Sequence, residues 1–251
     1  MWTDKIFAYC ERGFDPGFWA EPLNAISNAA FMIAALAGLM LWQRHRHDFS
    51  GEPRRSRVEL ALVVLVAVIG TGSFLFHTYA TRWAIVADVV PITIFMVVYL
   101  GYVMRRFMGA GWIVSLGTVA LFMVAMREAD MLRCGALPCL NGSVGYLPAL
   151  AVLIGLGGWM WLTRHPAGPY IFGGGLLFAM SLTFRTLDRT LCPQTALFAG
   201  RVLGTHFVWH MLNATLLYLL LNAAIRFGGI RNAAASGASA PRPVLRDARV
   251  S

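Results

Sequence analysis

Three histidines, an aspartate and a serine stand out because they lie within or at the edge of apolar segments, where a polar or ionisable side chain is costly and needs a partner. Ser73 and His77 are four residues apart in Gly70-Thr71-Gly72-Ser73-Phe74-Leu75-Phe76-His77, so a helix places the hydroxyl and the imidazole on one face. His206 and His210 repeat that spacing, and Asp88 follows in Ala87-Asp88-Val89-Val90-Pro91. Three imidazoles with one open position make the ligand count of a catalytic zinc site, where the fourth ligand is water with its pKa lowered to about 7. A structural zinc would close its shell, and no fourth His or Cys has the spacing to do so. Taken singly, each histidine is equally well explained by a bond to a carbonyl between helices, and Asp88 by capping a first turn. The set is harder to explain that way.

These residues need helices that cross a membrane. The chain has 251 residues, 58% of them hydrophobic and only 13% charged, which fits neither a soluble enzyme, a disordered chain nor a coiled coil. Apolar segments run near 24–42, 58–78, 84–104, 112–127, 145–163, 170–187 and 203–226. At about 20 residues per span they predict an all-α membrane protein, a seven-transmembrane helix bundle, with no room for a separate soluble domain. The expected division is an exterior N-terminal segment over 1–23, the bundle over 24–228 and a disordered cytoplasmic tail over 229–251, rich in Ala, Ser and Pro. The polar, aromatic start lacks the apolar core of a cleavable signal peptide, so the N-terminal segment is expected to stay attached.

The formal net charge of +9 comes from basic residues that are all arginine except Lys5. They cluster between apolar runs, at Arg44, Arg46, Arg54, Arg55 and Arg57, at Arg105 and Arg106, at Arg164, and in the tail with Arg226, Arg231, Arg242, Arg246 and Arg249. This alternation reports topology rather than a nucleic-acid partner. It puts the C-terminus in the cytoplasm and the N-terminus outside, and the short arginine-rich chain suggests a bacterial inner membrane. In that orientation His77, Asp88, His206 and His210 share one outer layer. Cys10, Cys134, Cys139 and Cys192 lie on the same side, where an oxidising compartment permits disulfides. Cys134 with Cys139 and Cys10 with Cys192 are natural pairs, unpaired buried thiols being the alternative. His45, His47 and His165 fall in cytoplasmic loops as solvated residues. Arg185 and Asp188, three apart, read as a structural pair, with Asp188 also a candidate second-layer support for a ligand histidine. Gly173-Gly174-Gly175 reads as close helix packing.

Together the seven-helix plan and these motifs resemble the alkaline ceramidase family, within the superfamily that includes the adiponectin and progestin receptors. The resemblance is carried by Tyr9-Cys10-Glu11, by Ala20-Glu21-Pro22-Leu23-Asn24-Ala25-Ile26-Ser27-Asn28, by Gly72-Ser73 through Phe76-His77, by Asp88 with Pro91, by Asp188 with Cys192, and by His206 through Trp209-His210. It implies zinc bound by His77, His206 and His210, with Asp88 positioning and deprotonating the catalytic water and Ser73 stabilising the oxyanion. It also implies calcium near Glu11, Glu21 and Asn24. There Ala8 replaces the family's aspartate and Gly13 its usual asparagine, so two side-chain donors are lost to an ion that wants six to eight oxygens. An ordinary polar cap is the competing reading.

The expected activity is zinc-dependent hydrolysis of the N-acyl amide bond of a ceramide-like membrane lipid, giving a fatty acid and a sphingoid-type amine, with no nucleic acid and no protein partner implied. The rival is a seven-helix lipid receptor or sensor with structural zinc. A transporter fits less well, because the polar groups cluster at one end rather than at the midplane.

Overall fold

A computed structural model describes residues 1–45, 57–134, 137–196 and 202–228. Arg46, His47, Arg54, Arg55 and the tail from residue 229 lie outside the described residues.

The helices are α1 (Pro22–Ser27), α2 (Ala29–His45), α3 (Arg57–Tyr79), α4 (Arg82–Tyr102, prolonged by a π-helical turn over Val103–Phe107), α5 (Trp112–Asp130), α6 (Leu147–Leu162), α7 (Gly168–Leu187) and α8 (His206–Phe227). A two-residue hairpin, β1 (Arg133–Cys134) with β2 (Leu137–Pro138), follows α5. Counting α1 and α2 as one interrupted span, seven helices among the described residues are long and apolar enough to cross a membrane. Ile113, Leu116 and Leu121 on α5, Val64 and Val68 on α3 and Ile33 and Leu36 on α2 point outward. With backbone bonds satisfied inside each helix and apolar side chains on the outside, this is a multi-pass membrane protein of the all-α seven-helix class. Each helix agrees with an apolar segment, and α5 runs on past its charged edge to Asp130.

The last span lies at the centre. In α8, 67% of the apolar window is buried, against 11% to 39% in the other six spans. It packs on α1, α2, α3 and α7, while α3 packs on α2 and α4, and α6 on α7. Gly174 faces Leu216 of α8 and Gly175 faces Ile154 of α6, so two of the three consecutive glycines sit at helix crossings, whereas a Cβ on Gly173 would meet nothing. His165 differs from its expected solvated state. It is 3% exposed, its ring lies 5.0 Å from that of Phe107, and its Nδ1 accepts the Ala167 N–H, because the α6–α7 turn folds back under the bundle.

A close backbone approach joins α3 to α4. Pro91 has no N–H to bond the Ala87 carbonyl one turn earlier, and Gly72 packs against that free carbonyl. A Cβ at Gly72 would lie 2.0 Å from Ala87 O. Alanine would raise helix propensity by roughly 1 kcal/mol, but the contact leaves no space and the helices must separate. Gly72→Ala is therefore expected to destabilise the fold by about 1–3 kcal/mol, measured as a lower melting temperature in detergent.

Candidate metal centre

The close approach at Gly72 brings Ser73 of α3 and Asp88 of α4 to neighbouring positions at one helix crossing. Asp88 lies two turns into α4, which starts at Arg82, so it does not cap the helix as an opening residue would. It is 9% exposed and faces the bundle. One turn after Ser73, His77 meets His206 and His210 from the first turns of α8.

Among the described residues, these three histidines form the one group of His, Cys or carboxylate side chains able to hold a metal ion, with their ligand atoms all within 4.8 Å of one another. All three are at most 2% exposed. Their outer partners decide which nitrogens face inward. His77 Nδ1 is 2.6 Å from Glu21 Oε2, a carboxylate that can only accept, so Nδ1 carries the proton and the Nε2 lone pair is free. The hydroxyl of Ser27 donates to Asn24 O at 3.0 Å, which leaves it to accept from His210 Nδ1 at 2.7 Å and frees His210 Nε2 in turn. That Nε2 lies 3.5 Å from Ser73 Oγ. His77 Nε2 and His206 Nδ1 are buried with no hydrogen-bond partner. Leaving two ring nitrogens orphaned is costly unless something binds them. Three imidazoles whose ligand atoms gather this closely form a donor set compatible with zinc.

The surroundings hold these rings in place. Tyr9 stacks on His206 with centroids 3.7 Å apart, and burial pushes its phenol above the usual tyrosine range. Burial alone would raise Glu21, but its bonds to His77, Arg12 and Asn24 outweigh that and hold its carboxyl below the usual value. Asp188 does not bond an imidazole. Its Oδ1 accepts the N–H groups of Thr205 and His206 at 2.7 and 3.0 Å, and its Oδ2 accepts that of Cys10 at 2.9 Å, so it supports His206 through the backbone at the start of α8. Gly204, at φ +67°, makes this fit; a Cβ there would lie 2.3 Å from Asp188 Oδ1.

The expected Arg185–Asp188 pair is replaced by other contacts. Arg185 donates to Ser143 Oγ at 2.7 Å and packs over the rings of Tyr146 and Trp209. Disulfides join Cys10 to Cys192 and Cys134 to Cys139. The former ties the N-terminal segment to the chain between α7 and α8.

Glu11, Glu21 and Asn24 come together; the carboxylates of both glutamates are engaged, whereas Asn24 Oδ1 is buried without a partner. Both Glu11 oxygens accept backbone N–H groups, from Leu23 at 2.7 Å and Asn24 at 2.9 Å, and so cap α1, while burial raises the Glu11 carboxyl. Sequence reasoning missed Arg12, Ser27 and Tyr9 as supports. Ser27 and Tyr9 stood inside quoted motifs without a role, and Arg12 was a charge in a polar segment with nothing to mark it as buried.

If Glu21 sets the His77 tautomer, Glu21→Gln is expected to weaken zinc binding by about 10–100-fold, measured by competition with a chromophoric chelator.

No curated protein matches the chain. The ceramidase family model matches residues 6–232, a stretch that holds every residue of the histidine cluster and both helices that carry it. The chain belongs to the ceramidase family.

Proposed function

We propose that this protein is an integral-membrane, zinc-dependent amidohydrolase that cleaves the N-acyl bond of ceramide-like lipids, releasing a fatty acid and a sphingoid-type amine. The observation that carries the reading is the meeting of three buried imidazoles, two with unpartnered nitrogens, with buried Ser73, 3.5 Å from His210 Nε2, and with Asp88 at the neighbouring position on α4. A metal needed only for structure would have no use for that hydroxyl and carboxylate.

His77, His206 and His210 hold the ion. When bound, zinc supplies Lewis-acid polarisation of the amide carbonyl and lowers the pKa of water. Asp88 takes the proton from the water whose oxygen attacks the carbonyl carbon, and returns it to the amide nitrogen as the C–N bond breaks. Ser73 donates a hydrogen bond to the carbonyl oxygen as negative charge develops on it. An amide is a poor electrophile and its amine a poor leaving group, so both proton transfers matter.

Substrate class follows from the walls. An apolar cavity lined by Phe31, Ile69, Phe95, Leu100, Trp209 and Leu220 runs inside the bundle. It adjoins the histidines through Phe31, whose ring centroid is 6.3 Å from that of His210, and Trp209, 6.4 Å from His206. A long alkyl chain is the ligand such walls solvate. By the arginine distribution we place the N-terminus and the site on the exterior face and the C-terminus in the cytoplasm, in a bacterial inner membrane. Substrate then enters from the outer leaflet.

Purified protein given a panel of N-acyl sphingoid lipids should release fatty acid, and stripping zinc should stop it. His77→Ala should lose both zinc and turnover. Asp88→Asn and Ser73→Ala should keep zinc while losing about 10²–10³-fold in kcat. Undiminished turnover in these two variants would remove Ser73 and Asp88 from the chemistry, and lipid binding by wild-type protein without any hydrolysis would favour the sensor reading.

A further inference from the structure

Arg12 is 2% exposed, and its guanidinium is enclosed by oxygen atoms. Nε donates to Glu21 Oε1 at 2.5 Å, Nη1 to the carbonyls of Asp15 and Gly17 at 3.1 and 2.8 Å, and Nη2 to those of His77 and Thr78 at 2.9 and 3.3 Å. One carboxylate and four carbonyls around one guanidinium give it an all-oxygen surrounding, the donor type that hard cations also take. Here the cation is part of the chain.

Calcium does not fit the residues that the family resemblance assigns to it. Both Glu11 oxygens are held by backbone N–H groups, and Glu21 is divided between Arg12, Asn24 and His77, which leaves Asn24 Oδ1 as the one unpartnered side-chain oxygen of the three residues, against the six to eight that calcium takes. A divalent ion reaching Glu21 would also meet the guanidinium at contact distance, and like charges repel strongly where water is excluded.

We propose that Arg12 is the built-in cation of the N-terminal segment, standing where a calcium ion would otherwise be needed, and that it is a positioning residue for His77. It acts by two routes. Through Glu21 it fixes the carboxylate that sets the His77 tautomer. Through the His77 and Thr78 carbonyls it caps the last turn of α3, where backbone acceptors lack helical partners and the helix dipole favours positive charge. The same five bonds close the loop over residues 12–17 onto the end of α3.

The positioning role rests on reading the three histidines as metal ligands, but the first arm of its test does not. Wild-type protein freed of calcium is titrated with calcium ions while its melting temperature and bound calcium are followed. No rise in melting temperature and no stoichiometric uptake are expected; either one overturns the proposal, whatever the protein hydrolyses. In the second arm zinc affinity is measured for Arg12→Gln, which keeps polar reach without charge, and Arg12→Lys, which keeps charge. Arg12→Gln should bind zinc on the order of ten-fold more weakly or worse, and Arg12→Lys should recover part of that loss. Equal affinities in the two variants, or wild-type affinity in Arg12→Gln, would refute the positioning role. If Arg12→Gln does not yield folded protein, the wild-type calcium titration decides.

Discussion

Glu21 sits at 2% exposure with a guanidinium on one oxygen and an imidazole on the other, and each of the three groups would be intolerable in that place without its neighbours. Removing one partner of a buried ion pair leaves an uncompensated charge, which costs far more than an exposed pair gives. The arrangement therefore behaves as a unit. It also spans three parts of the chain: the N-terminal segment through Arg12, the entry to the first span through Glu21, and the end of α3 through His77. The remaining polar contacts at this end of the bundle extend outward from it. Asn24 joins Glu21, Ser27 joins Asn24 and His210, and Asp188 gathers the backbone of Cys10, Thr205 and His206.

Much of this was legible in the residues because a bilayer simplifies the alphabet. Twenty apolar residues in a row have few alternatives to a spanning helix, so all seven helices could be placed within a few residues of their ends. Histidine and aspartate in such a helix need a reason, and the i, i+4 spacings of Ser73 with His77 and His206 with His210 then gave the shared faces. Where spacing ceases to inform, so did the reading. Arg12 and Tyr9 reach the site through a non-helical segment whose path has no period, and Arg185 turned to Ser143 and aromatic rings that are distant in sequence. His165 was misplaced for a related reason: burial in a turn depends on packing partners, which local composition does not name.

Packing and chemistry share residues here. Pro91 frees a carbonyl, Gly72 accepts it at close range, and Ser73 and Asp88 come to neighbouring positions as a result. Gly204 plays the corresponding part at α8, letting a carboxylate reach two backbone donors that a side chain would have screened. In both places the absent side chain is what gives the functional groups their spacing.

The central position of α8 bears on how the molecule is made. A ribosome delivers helices in chain order, and the most buried of the seven spans among the described residues is the last to emerge. Until then the earlier spans can pair with one another, but they enclose no finished interior. His77 waits in the membrane without the two imidazoles that complete its set. Completion of the histidine cluster is then a late event in biogenesis, after the final span has packed against α2, α3 and α7. A chain stalled before that step would carry six spans and no site.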